Sequence, residues 1–291
     1  MDTNRQYKNS VFTYLFSNPN LLRELYCAIE GVTLPADIPV TINTLSDVLF
    51  MDKVNDISFE IGGKLIIIME HQSTINPNMA LRLLLYIGRI YEKIIQDKRI
   101  YSSKKILVPQ PEFFVLYNGL DPYPDEELLK LSSSFESAVS LGLSEAGEPS
   151  LELEVKVINI NEGKNNAIAR RCRTLAQYSA FIAKVRECEK EGYSRSEAVR
   201  KAVIYCRSRD ILKEFLEQNA HEVMNMLITE WNWDDAKEVW QEEAREEGRK
   251  EGLEKGREEK RTIARNLLAN GSEPEFVSEI TGFSLEEIEK L

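Results

Sequence analysis

Asp56 and Glu70 lie fourteen residues apart, on either side of a Gly62-Gly63 pair. The segments 56–61 and 64–70 read as strands, and the two glycines suit a tight hairpin turn between them. An antiparallel hairpin brings the start of one strand beside the end of the other, so both carboxylates reach one edge of the sheet. Two such groups repel unless a cation sits between them. A hard divalent ion such as Mg2+ is a natural occupant, because it accepts one or two carboxylates and keeps several waters. It can polarise a phosphoryl oxygen and lower the pKa of a bound water. The plainer alternative is a turn residue and a strand-end residue in solvent. Side chains alternate along a strand, so Glu70 and Gln72 face one side and His71 the other.

These residues need elements to hold them. Residues 10–30 carry two short apolar patterns interrupted by Asn18-Pro19-Asn20, which predicts two helices, the second stopping at Gly31. Three strands are expected at 44–51, 56–61 and 64–70. The run Leu65-Ile66-Ile67-Ile68-Met69 is apolar throughout, as in a strand buried on both faces. A turn-rich loop at 73–78 leads to a helix over 79–96 whose apolar positions follow the helical period. Strands over 112–117 and 151–160 and helices over 166–190 and 195–219 follow. The order αβββαβ, then a strand and helices, predicts an α/β domain with a mixed sheet. Arg82, Tyr86, Arg89 and Lys93 form one stripe on the 79–96 helix, either for phosphate contact or as an ordinary solvated face.

The 291 residues carry 37 Lys and Arg against 48 Asp and Glu, a net charge of -11. That excludes a basic nucleic-acid coat protein. The charge is nevertheless sorted. Residues 82–105 hold seven bases and two acids, and residues 164–213 hold thirteen bases and five acids. Nine acids lie within 121–154 and nineteen from 220 onward. Two basic zones in an acidic chain are compatible with a positive groove. The four cysteines show no CxxC pair, which argues against a zinc site and for free thiols. No apolar run approaches a membrane span, and the first residues lack a signal core, so a soluble cytoplasmic protein is expected.

Beyond Trp233 the composition changes. Residues 234–261 are almost solidly charged, with Gly248, Gly252 and Gly256 four apart on one helical stripe. This is either a solvated linker helix or a helix–helix contact. Residues 262–291 read as a small helix-turn-helix-like unit with few bases. Three parts are therefore expected: 1–219, a charged helical linker over 220–261, and the terminal module over 262–291. A homo-oligomer, most simply a dimer, would form through the C-terminal helices.

Asn55-Asp56, then Glu70-His71-Gln72-Ser73-Thr74, Asn76-Pro77-Asn78-Met79 and Leu81-Arg82 resemble the Rpn family of recombination-promoting nucleases, which also carry a transposase label. The family lies within the PD-(D/E)XK nuclease superfamily. The resemblance extends to Tyr7-Lys8, Leu15-Phe16, residues 114–119 and 151–161, and the glycine-spaced tail. Ala80 departs from the proline that many relatives carry before Leu-Arg.

What the resemblance implies is a metal-dependent DNA endonuclease on a restriction-endonuclease-like mixed-sheet core (αβββαβ), followed by an α-helical C-terminal region. Asp56 and Glu70 would fill the two acidic positions and bind Mg2+, with Mn2+ as a substitute. His71 would lend its backbone carbonyl to the metal. Gln72 would stand where the wider superfamily usually has lysine, and would help position water; a neutral amide can hydrogen-bond but carries no charge. Arg82, Tyr86 and Arg89 would contact DNA. Asp47 competes with Asp56 for the aspartate position, and Glu24 is a possible accessory acid. The family also implies a role in recombination or in conflict with mobile elements and phage.

Overall fold

The computed structural model describes residues 10–43, 56–95, 100–101, 103–137 and 149–288. The strand expected at 44–51, and with it Asp47, lies outside the described residues.

Gly62 and Gly63 take φ of +58° and +63°, the left-handed region that glycine enters at little cost. They turn strand β2 (Asp56–Ile61) back into β3 (Leu65–Gln72), and the two pair antiparallel. Strand β1 (Val40–Asn43) adds to the free side of β2, also antiparallel. Helix α3 (Met79–Ile95) then carries the chain to β4 (Gln110–Tyr117), which pairs parallel with β3. Strand β6 (Glu154–Asn159) pairs parallel with β4, and β5 (Glu126–Lys130) closes that edge antiparallel to β6. The result is one mixed six-stranded sheet in the order β1-β2-β3-β4-β6-β5.

Helices cover both faces. On one side Ile57, Phe59, Ile67, Met69, Phe114, Leu116 and Ile158 form a core with α1 (Val11–Leu15), α2 (Pro19–Glu30), α4 (Asn166–Arg171), α5 (Arg173–Lys190) and α6 (Arg195–Ser208). On the other, Ile66, Ile68, Phe113, Val115 and Val157 pack under Met79, Leu83, Ile87 and Ile90 of α3. Strand β3 is thus sealed on both sides until its last residues, which explains its unbroken apolar run.

Three departures from the expected elements have local causes. Strand β5 lies inside the acidic stretch 121–154; its residues Glu126-Glu127-Leu128-Leu129-Lys130 are mostly exposed, so no apolar alternation announces it. Charge on an edge strand is a common guard against further pairing. The helix expected over 166–190 is divided at Cys172, whose backbone is extended (φ -120°, ψ 95°) and whose thiol caps α5. The helix expected over 195–219 ends at Ser208, because Asp210 and Leu212 adopt positive φ before α7 (Lys213–Ala269) begins.

The chain divides into two compact units, Met1–Trp231 and Asn232–Leu291. The second holds the end of α7, then α8 (Pro274–Thr281) and α9 (Leu285–Ile288), around a small core of Ala264, Val277, Phe283 and Ile288. Among the described residues, no helix is long and apolar enough to cross a membrane.

Candidate nuclease site at the end of strand β3

The hairpin register pairs Asp56 with Glu70 directly across β2 and β3. Directly paired antiparallel positions share a face of the sheet, and here it is the face covered by α3. Glu70 is 1% exposed. Its carboxylate is held on both oxygens: the Arg82 guanidinium donates to Oε1 at 3.0 Å and the Gln72 amide donates to Oε2 at 2.6 Å. Gln72 reaches Glu70 because residues two apart on a strand point the same way. Arg82 reaches it from the first turn of α3, which starts directly above the end of β3.

Met79 and Tyr86 complete this arrangement. The Met79 thioether accepts from Gln72 Nε2 at 2.9 Å and from Arg82 Nη1 at 3.3 Å. Arg82 Nη2 donates to the Tyr86 hydroxyl at 3.1 Å, and its Cζ lies 5.8 Å from the Tyr86 ring centre. Tyr86 is therefore buried against the sheet, with its hydroxyl turned toward Arg82. Arg89 is half-buried one turn further along, and Lys93 is exposed in the last turn.

His71 faces the opposite way. Its ring stacks on Phe12 (centroids 4.8 Å apart, 7° between planes), and Nε2 lies 3.1 Å from the Tyr178 hydroxyl. Burial, with a smaller push from the Arg186 charge, lowers its pKa to about 3, so the imidazole is neutral at ordinary pH. Any part that His71 plays on the Glu70 face falls to its backbone.

A second polar cluster occupies the same edge of the sheet, where the parallel strands β3, β4 and β6 all end. The Asn118 amide N–H donates to the Gln72 carbonyl at 2.8 Å, joining the end of β4 to the end of β3. Asn161, just past β6, donates to the Gly119 carbonyl at 3.1 Å and to Asn159 Oδ1 at 2.9 Å. Arg186 of α5 donates to Asn161 Oδ1 at 2.7 Å, to Asn118 Oδ1 at 3.1 Å and to the Asn118 carbonyl. A Cβ on Gly119 would fall 2.1 Å from the Ser73 carbonyl oxygen and 2.3 Å from the Tyr117 hydroxyl, so only glycine fits there. In the sequence Asn118 and Gly119 only follow the strand expected over 112–117, and Arg186 is one of thirteen bases within 164–213. The only trace of the cluster in the sequence was its asparagines following two separate strands.

Among the described residues, no group of three or more His, Cys, Asp or Glu converges as a metal site. The donor chemistry available is a buried carboxylate at Glu70, the carboxylate residue Asp56 in the paired register position, and backbone oxygen. That set is all hard oxygen and suits a small divalent cation rather than a soft one.

A mixed sheet covered on both faces by helices, with acidic residues paired at the end of a central strand, is a restriction-endonuclease-like α/β core, here followed by a helical region. Residues 42–176 match the family model described as Putative transposase, YhgA-like. Residues 257–291 match that of the Rpn/YhgA-like nuclease family, C-terminal HTH domain. The two matches together take in more than half of the chain, and the protein belongs to the Rpn/YhgA-like nuclease family. No curated protein and no solved structure gives a significant match. Family membership points to a nuclease or transposase-like function, and the helix-turn-helix domain to DNA as a partner.

Proposed function

We propose that this protein is a metal-dependent DNA endonuclease that hydrolyses phosphodiester bonds. The observation that carries this reading is the direct pairing of Asp56 with a fully buried Glu70 at the end of β3. Asp56, Glu70 and the His71 carbonyl would hold Mg2+, or Mn2+ in its place. When bound, the ion supplies Lewis-acid polarisation of the phosphoryl oxygen and a more acidic water. Gln72 orients Glu70 and hydrogen-bonds water; being neutral, it takes no proton. Arg82 balances the Glu70 charge within the buried site and offers guanidinium donors to a phosphate oxygen. Tyr86 and Met79 hold Arg82 in place, and Arg89 extends the basic side of α3 for DNA contact.

The chain would work in three parts: a nuclease-like domain over 1–219, a linker over 220–261 and a helix-turn-helix-like module over 262–291. In that module, α8 carries Glu275 and Glu279 and no base, and of the bases near the end of α7 Arg265 lies within it while Arg257, Lys260 and Arg261 belong to the linker. Phe276, Ile280 and Leu285 are about half exposed there, which favours a homo-oligomer such as a dimer through these helices. The setting would be cytoplasmic, in recombination or conflict with mobile elements and phage.

Plasmid DNA incubated with the full chain, with and without Mg2+ or Mn2+, tests the chemistry. Metal-dependent nicking that falls about a hundredfold or more in Asp56→Asn and in Glu70→Gln is the expected result. Cleavage that persists in both variants would falsify the site. A second reading, a nuclease-fold interaction protein with weak or lost activity, draws support from the Arg82 and Gln72 bonds that occupy both Glu70 oxygens. It predicts no cleavage in any metal.

A further inference from the structure

Arg186 presents an electrostatic imbalance. Its guanidinium is partly buried, and all three of its hydrogen bonds go to neutral oxygens of Asn118 and Asn161. Among the described residues no carboxylate lies within ion-pair distance of it. Glu189, the acid whose field reaches it, is bonded to Arg195 at 3.2 Å. Removing a cation from water costs several kcal/mol unless an opposite charge offsets it, and amide oxygens orient a guanidinium without neutralising it. Burial accordingly lowers the Arg186 pKa.

The cluster is also built with care. Asn161 gives both its donor bonds to Gly119 and Asn159, which leaves its carbonyl oxygen aimed at Arg186. Asn159 is in turn fixed by donating to the Tyr123 carbonyl at 3.0 Å. Gly119 is the one residue that allows the chain to pass so close to Ser73. All of this lies at the carboxyl ends of three parallel strands, the edge where open α/β sheets bind ligands. The Asn118–Gln72 bond ties the cluster to the Glu70 site.

We propose that Arg186, held by Asn118 and Asn161, is a phosphate-binding residue that takes a backbone phosphate of the DNA. It would add a contact from α5 to those from α3, so that the strand crosses the end of the sheet between the two basic zones of the chain. The identity of the ligand rests on the endonuclease reading; the need for an anion rests on the uncompensated guanidinium.

The test is binding of a labelled random-sequence duplex by the full chain in EDTA, across a salt series. Arg186→Met should weaken binding about tenfold at low salt and reduce the slope of log K against log salt by about one, the loss of one phosphate contact. Arg186→Lys should restore the slope, because it keeps the charge, but only part of the affinity, because it lacks the fork. An unchanged slope in a folded Arg186→Met chain overturns the proposal, since a purely structural arginine changes stability and leaves the ion count alone. Should that variant not fold, phenylglyoxal labelling of the wild-type chain decides: protection of Arg186 by duplex supports the contact, and equal labelling overturns it. Absence of cleavage in every metal, with the Arg186 dependence intact, removes the endonuclease reading alone. Cleavage with an unchanged salt slope removes only this contact.

Discussion

Glu70 and Arg82 meet at 3.0 Å, one from the end of β3 and the other from the first turn of α3, with the glutamate 1% and the arginine side chain 23% exposed. Removing one member of a buried pair leaves its partner charged and unmatched. Arg82→Met should therefore lose about 3 kcal/mol in urea unfolding, and the double variant Glu70→Gln/Arg82→Met should lose clearly less than the sum of the two single losses. Additive losses would show that the pair is not coupled.

A cation at this site would stabilise the fold by mass action. Mg2+ at a hundred times its dissociation constant adds about 2.7 kcal/mol. The wild-type melting temperature should rise on titration with Mg2+, and Asp56→Asn should abolish that rise. An equal rise in the variant would place the cation elsewhere.

Stability should fall with acidity through His71. Its folded pKa of about 3 lies below the unfolded value of 6.5. The unfolded chain therefore binds the proton first, and the contribution is full above pH 6.5 and lost as pH falls from there toward 3. Between pH 7 and pH 5 the loss is about 2 kcal/mol. His71→Phe should flatten the pH profile of the unfolding free energy by that amount, whatever its own stability. Parallel profiles would contradict a neutral buried imidazole.

Gly119→Ala should be strongly destabilising, because the added methyl meets the backbone oxygen of Ser73 as well as the buried Tyr117 ring. A loss above about 2 kcal/mol is expected, read as a fall in melting temperature. A neutral substitution would show that this end of β4 yields readily.

Two of the buried cysteines, Cys172 and Cys206, should be quiet in the folded state. Burial pushes the Cys172 thiol up to about 12 and the Cys206 thiol up to about 11. Neither should react with a thiol reagent at pH 8 until urea unfolds the chain, because the thiolate is the reactive form. Rapid native labelling of Cys206, followed by peptide mapping, would refute the packing around it.

Much of the fold was legible because it follows local rules. The Gly62-Gly63 turn, the unbroken apolar run of β3 and the helical period of α3 each announce themselves within one window. Counting outward from the turn also yields the pairing of Asp56 with Glu70. Strand β5 was not legible: an exposed, charged edge strand needs no apolar pattern and forms only because β6 offers it a partner. The breaks at Cys172 and at Asp210–Leu212 were likewise hidden, because capping and left-handed backbone there depend on where the next helix must go.

The sequence alone determined the composition of the Glu70 face, since alternation along β3 separates Glu70 and Gln72 from His71 without reference to anything distant. Only the tertiary structure decided what those groups touch. Tyr86, read on a stripe for phosphate contact or solvent, is buried beside Arg82 and bonded to it, and Arg82 closes on Glu70 rather than standing free in solvent. Arg186 reaches Asn118 and Asn161 from another helix, across 68 and 25 residues of chain. Periodicity reports which face a residue occupies; a hydrogen bond or an ion pair depends on which elements pack against that face, and that is set by the whole sheet.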